Sequence, residues 1–271
     1  MTHQTYALME RRTRAYCYNC GGRSAYRRIH PIDQALQRTW GISDRLARQF
    51  NRREGSICPD CGVNLRAQGL ARAILKSKYG FGTASLKEWV PAANVEGLQV
   101  CELNSCHELH QTLTQLRKLT YAEYGTDSQQ NIEGMTYRSD TFDLFLHSET
   151  VEHVNNPTLA ADECRRVIKP HGLVLFTTPV IWNRTTRRRA RRDGERILPI
   201  LEPSYHEQRS DDYLVFYEYG RDIDRLLGVS LSLADWRNQN YVFYSGKMPS
   251  KMNPATKFTL AVLEAIAKCR Y

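Results

Sequence analysis

The stretch that decides the fold runs from Phe142 to Pro179 and reads FDLFLHSETVEHVNNPTLAADECRRVIKPHGLVLFTTP. It opens on the apolar run FDLFLH and closes on a second, LVLFTTP, which begins at Leu173. Runs that are apolar without a break suit strands buried on both faces of a parallel sheet. Between them Asn156 stands as a helix cap and Pro157 in the first turn, and Ala160, Cys164, Val167 and Ile168 fall on one helical face. Pro170 and Gly172 are expected to form the turn into the next strand. In such a sheet the strand ends present side chains at the ligand crevice, so Ser148, Glu149, Glu152 and His153 are expected where substrates bind.

The same alternation extends upstream. LQVCEL reads as a strand, HELHQTLTQLRKL (107–119) as a helix, and TYAEYG contains the end of a second strand. The expected fold is α/β, Rossmann-like, a mostly parallel sheet with helices on both faces, occupying residues 85–271. LRAQGLARAILKSKYG (65–80) reads as a short helix closed by Gly80. FGTASLKEWVPAANVEG (81–97) reads as a connector, its apolar residues scattered around Pro91.

Residues 1–84 form a different kind of unit. Two knuckles, Cys17-Tyr-Asn-Cys20-Gly21 and Cys58-Pro-Asp-Cys61-Gly62, supply four thiolates in two close pairs, the pattern of tetrahedral zinc ligation. Two redox dithiols or four merely buried thiols are the alternatives, and the long gap between the pairs keeps them open.

The 271-residue chain is 41% hydrophobic and carries 38 Lys and Arg against 29 Asp and Glu, a net +9. No run approaches the ~18 apolar residues of a membrane span. MTHQTYALMERRTRAYC has no apolar core of the secretory kind, so a cytoplasmic protein with reduced thiols is expected, Cys101, Cys106, Cys164 and Cys269 being free. The positive charge is clumped at Arg11, Arg12 and Arg14, at Arg52 and Arg53, and in the run Arg187, Arg188, Arg189, Arg191 and Arg192. Such clusters attract polyanions, or they are simply a solvated basic face.

The Phe142–Pro179 stretch resembles the class I S-adenosylmethionine-dependent methyltransferases of the type 11 kind. The likeness is carried by Phe142-Asp143-Leu144, Glu152-His153, Arg166-Val167-Ile168-Lys169-Pro170-His171-Gly172 and the strand ending at Pro179. A narrower resemblance, to methyltransferases with a zinc-knuckle head, rests on the basic segment after the fifth strand, on Pro203-Ser-Tyr205-His206, and on Leu214-Val-Phe216 through Gly220-Arg-Asp222-Ile223. One departure stands out. The family's first motif is an acid followed by a Gly-x-Gly loop, whereas here the loop is Glu102-Leu103-Asn104-Ser105-Cys106-His107. S-adenosylmethionine has no pyrophosphate to cradle, so the loop need not wrap as tightly as at a dinucleotide.

The resemblance implies S-adenosylmethionine as cofactor, with structural zinc in the head. It places Glu102 and Asn104 at the methionine tail, Glu123 at the ribose hydroxyls, Asn131 and Ile132 at the adenine, and His147, Ser148 and Glu149 along the fourth family strand. Each carboxylate has an ordinary surface charge as its alternative. An O-methylated acceptor must lose a proton, and His206 and His153 are the candidate bases, against the commoner structural role of a lone histidine. Trp182, Arg187, Arg189 and Tyr205, in an insertion around 182–220, are expected to shape the acceptor site. A small-molecule or glycan acceptor is favoured. An RNA methyltransferase with a zinc head, or a binding module that has lost catalysis, are the alternatives. Oligomeric state is not encoded in any pattern seen here.

Overall fold

The structure is a computed structural model and describes residues 14–206, 213–235 and 240–246. Cys269 and part of the 182–220 insertion lie outside these residues. Four strands run parallel: β1 (Val100–Leu103), β2 (Leu119–Ala122), β3 (Phe142–Ser148) and β4 (Ile168–Thr177). Two more, β5 (Ser230–Asp235) and β6 (Asn240–Gly246), add antiparallel beside β4, so the order across the sheet is β5-β6-β4-β3-β1-β2.

The apolar runs are continuous because the sheet has two dry faces. One face of the strands presents Val100, Leu144, Leu146, Leu173 and Leu175 to a core that includes Leu70, Ile74, Leu86 and Trp89. The other presents Cys101, Leu103, Phe145, Val174 and Phe176 to a core that includes Ala160, Cys164, Val167, Ile223 and Leu227. Successive residues go to opposite faces, as the strand period of two requires.

Helices α1 (Gln34–Trp40) and α2 (Asp44–Gly55) fill the gap between the two cysteine knuckles, capped by Asp33 and Ser43. Neither was anticipated, and they account for the long spacing. Next comes α3 (Leu65–Lys76), capped by Asn64. This helix packs on β4 and β6, so the head and the sheet share one core that also contains Cys17 and Cys58. The approach is close enough to need a glycine: a Cβ on Gly69 would sit 2.5 Å from the side-chain nitrogen of Asn240.

Residues 81–97 are not a connector. They contain α4 (Leu86–Glu96), capped by Ser85 and closed by left-handed Gly97. Pro91 is on its exposed side, where the carbonyl that loses its partner can reach water, while Leu86, Trp89, Val90 and Ala93 form the buried stripe. The helix expected over 107–119 shortens to a 3-10 turn, His107–Leu109, and one turn of α-helix, His110–Leu113, because β2 has begun by Leu119. On the far face lie α5 (Pro157–Val167), whose cap Asn156 accepts from the Leu159 N–H at 3.2 Å, and α6 (Ile223–Leu227). Cys101, Cys106 and Cys164 are free and buried. Among the described residues no helix is long and apolar enough to cross a membrane.

Candidate functional site

The two knuckles fold alike. In each, the glycine N–H bonds back to the first cysteine's carbonyl at 2.9 Å, and Gly21 and Gly62 hold left-handed φ of 79° and 75°. The result brings four sulfurs together, all within 4.8 Å of one another. Cys17 lies 3.6 Å from Cys61, and Cys20 4.0 Å from Cys58. The hydrogen bond between Cys17 and Cys61 raises the first thiol and lowers the second.

At the C-terminal end of β1, Glu102 is fully buried. It accepts from the Cys106 N–H at 2.8 Å and meets His110 Nδ1 at 2.6 Å, which ties the loop into a tight turn. Burial raises its carboxyl, and these bonds oppose the shift. The glycine-free loop keeps left-handed backbone: Asn104 has φ 56° and His107 φ 59°. Asparagine tolerates this conformation better than most residues. Its side chain also accepts from the Tyr124 N–H at 2.9 Å, tying the end of β1 to the end of β2. Glu123 follows β2 and is half-buried. Asn131 is exposed, and Ile132 is buried in the core.

The end of β3 carries His147, Ser148 and Glu149. His147 is buried against Phe176, ring centroids 4.6 Å apart, and burial pushes its pKa down to about 3. Glu149 is met from the head. Arg53 of α2, only 1% exposed, reaches it at 2.7 Å, and Arg66 of α3 comes to 3.9 Å while also donating to Ser148 Oγ. Glu54 balances both arginines. Burial alone would raise the Glu149 carboxyl, but the charges of Arg53 and Arg66 outweigh it and hold the group below its ordinary value.

Three residues further on, a second group gathers. Glu152 is 1% exposed; one carboxylate oxygen accepts from Thr178 at 2.8 Å and the other makes no hydrogen bond. Burial, and then the charge of Glu149, pushes this carboxyl well above the usual range. His153 has Nδ1 2.9 Å from the Leu214 carbonyl, which can only accept, so Nδ1 carries the proton and Nε2 is a lone pair. That lone pair faces His206 Nδ1 at 3.1 Å. Burial lowers both imidazoles, His206 to about 3, which leaves them neutral. Trp40 of α1 lies 5.7 Å from the His206 ring and is fixed by a 3.0 Å bond to Ser204. Glu152, His206, Trp40, Tyr217 and Tyr219 line a small hollow.

The acceptor-side residues divide. Tyr205 and Arg189 line a separate, roomier hollow with Pro203 and Leu214. Arg189 is buried, its guanidinium committed to Glu218 and to the Glu202 carbonyl. Arg187, Arg188, Arg191 and Arg192 are exposed. Trp182 packs edge-on against Tyr241 at 5.0 Å. The sequence reading missed Trp40, Glu54 and Arg66, and took Arg53 for part of a surface cluster. A charged residue is buried only when partners distant in sequence neutralise it, and no local pattern signals that.

Residues 78–176 match the methyltransferase domain family. No curated protein matches the chain. Among solved structures, a protein from Bacillus subtilis is 13% identical over 31% of this chain and 44% of its own, TM-score 0.28. An S-adenosylmethionine-dependent methyltransferase from Aquifex aeolicus is 12% identical over 63% of this chain and 89% of its own, TM-score 0.34. One from Mesorhizobium loti is 16% identical over 58% and 95%, TM-score 0.32. The chain thus spans less than half the length of the first of these, and at such scores the likenesses add nothing to the family match. The match covers β1 through most of β4, the strands whose ends carry Glu102 and Glu149, and so this part of the chain is similar to a methyltransferase domain.

Proposed function

We propose that the chain transfers a methyl group from S-adenosylmethionine to a hydroxyl of a small polar or glycan-type acceptor, and that its four cysteines hold a structural zinc ion. The observation that carries this reading is the adjacency of two groups: the charged cluster at Glu149 and, beginning with Glu152 three residues beyond it, the neutral His153–His206 pair, beside a small hollow lined by Trp40.

The residues present fit the cofactor. Its amino-acid tail is a zwitterion and needs one anion and one cation side by side; Glu149 with Arg53 and Arg66 supplies both at the tip of β3. Left-handed Asn104 keeps the backbone turn that a glycine would otherwise give. Glu102 would organise that turn rather than touch the ligand, since both its oxygens are engaged. Glu123 would accept from the ribose hydroxyls, and Asn131 and Ile132 would meet the adenine. The cofactor, when bound, supplies an electrophilic methyl group on a sulfonium. The protein has then to align an acceptor oxygen and receive its proton. His206, held neutral by burial, is the group for that second task, with His153 fixing its orientation. Tyr205 and the exposed Arg187 would bound the acceptor's approach.

The sulfur cluster suits zinc on geometry. Ligands ~2.3 Å from one ion lie about 3.8 Å apart in a tetrahedron, and the 3.6 and 4.0 Å pairs straddle that value. Such an ion would brace the head that delivers Arg53, Arg66 and Trp40.

The test is methyl transfer from labelled cofactor to a panel of hydroxylated sugars and small metabolites, with His206→Ala alongside. Loss of transfer on the order of a hundredfold with unchanged affinity for S-adenosylhomocysteine supports the assignment. Normal turnover by the variant removes His206 from the chemistry. A salt-dependent shift with RNA and transfer to it would move the acceptor class to nucleic acid, with the exposed arginines as its docking face.

A further inference from the structure

We propose that Glu152, His153 and His206 form a second metal site, taking a divalent transition ion of the zinc class at the wall of the acceptor cavity. The three ligand atoms form a triangle: His153 Nε2 to His206 Nδ1 is 3.1 Å, His206 Nδ1 to the unbonded Glu152 oxygen 3.7 Å, and His153 Nε2 to that oxygen 3.9 Å. A point about 2.1 Å from all three lies between them, which is the length of a zinc–imidazole or zinc–carboxylate bond. Two histidines and one carboxylate with an open side toward a cavity are the donor set of ions that bind a further ligand.

The outer contacts agree. A ligating histidine commonly donates its other N–H to a carbonyl, and His153 does so to Leu214 at 2.9 Å. A ligating carboxylate is held through its second oxygen, and Thr178 holds that of Glu152 at 2.8 Å. What remains is the first oxygen of Glu152, buried and without a hydrogen bond, on a residue that lines the hollow. A buried acceptor left unbonded is costly, and an ion satisfies it. This group shares no residue with the four cysteines. The inference rests on the methyltransferase reading only for its consequence: an ion here faces the acceptor, and its two imidazoles serve as ligands, whereas in the ion-free state His206 is available as a base.

The experiment is a cobalt(II) titration of the full chain, stripped of metal and followed by absorption spectroscopy. The wild type is expected to take two equivalents, one with intense thiolate-to-metal charge transfer and one without it. Glu152→Gln, close to isosteric, and His153→Ala should each lose the second equivalent and keep the first, with circular dichroism unchanged. Saturation of the wild type at one equivalent overturns the proposal, as does a second equivalent that survives in both variants. Calorimetry with S-adenosylhomocysteine on the same samples reads the methyltransferase assignment separately. Cofactor binding without a second metal ends this proposal alone, and a second metal without cofactor binding ends the other.

Discussion

Arg53 offers the sharpest perturbation. It leaves α2 of the head, is 1% exposed, and meets Glu149 at the end of β3 at 2.7 Å, with Glu54 on its other side. Replacing it by alanine leaves Glu149 with Arg66 at 3.9 Å as its remaining cation. Removing one partner of a buried ion pair costs about 3 to 5 kcal/mol, because the other charge stays behind without compensation. At about 2 °C per kcal/mol for a chain of this size, Arg53→Ala should lower the melting temperature by about 6 to 10 °C. The loss should depend on pH. Glu149 is held below its ordinary value in the folded state, so its contribution is full above the unfolded pKa near 4.5 and disappears as the pH falls through the folded value. The gap between the melting temperatures of wild type and variant should therefore be full at pH 7 and narrow as the pH is lowered below 4.5. The paired change Arg53→Met with Glu149→Leu should recover most of the loss, since an apolar pair carries no stranded charge. A variant that melts within 1 °C of wild type at pH 7 would refute the reasoning, and with it the role given to the head at the sheet's crest.

Three further outcomes are expected. Cys58→Ser with Cys61→Ser should abolish tightly held zinc by elemental analysis and lower the melting temperature, and full zinc content with unchanged melting would remove the metal from the thiols. His147, with a pKa near 3 against 6.5 unfolded, binds its proton more readily in the unfolded chain, so it costs stability as the pH drops below 6.5, by about 1.4 kcal/mol per unit; its ring signals in NMR should stay flat from pH 8 to 5, and a midpoint near 6.5 would contradict its burial. Trp40→Phe deletes the bond to Ser204 and should cost about 1 kcal/mol in urea unfolding, and no measurable change would mean that the bond contributes nothing.

Much of this could be read from the chain in order. Phe142–Ser148, Pro157–Val167 and the strand ending at Thr177 were legible because each has one dominant signal, an unbroken apolar run or a cap with a helical stripe. The cysteine knuckles were legible because each pair lies within one short stretch of sequence. What escaped depends on contacts between distant segments. Pro91 hid α4, though Leu86, Trp89, Val90 and Ala93 carried the stripe. β6 takes its place from the edge that β4 leaves open, and β5 from the edge of β6, a pairing between distant segments. His153 and His206 stand 53 residues apart in sequence, and nothing local to either says that their rings meet. Arg53 reads as part of a basic cluster and Arg66 as an ordinary helix residue; only the approach of Glu54 and Glu149 shows their place.

The central claim is that a first-motif loop without glycine still serves S-adenosylmethionine, and titration calorimetry of the full chain with S-adenosylhomocysteine tests it most directly. One site per chain is expected, with affinity falling at least tenfold in Glu123→Ala as two charge-assisted hydrogen bonds to the ribose are lost. No binding at millimolar ligand, or binding that Glu123→Ala leaves unchanged, would contradict it.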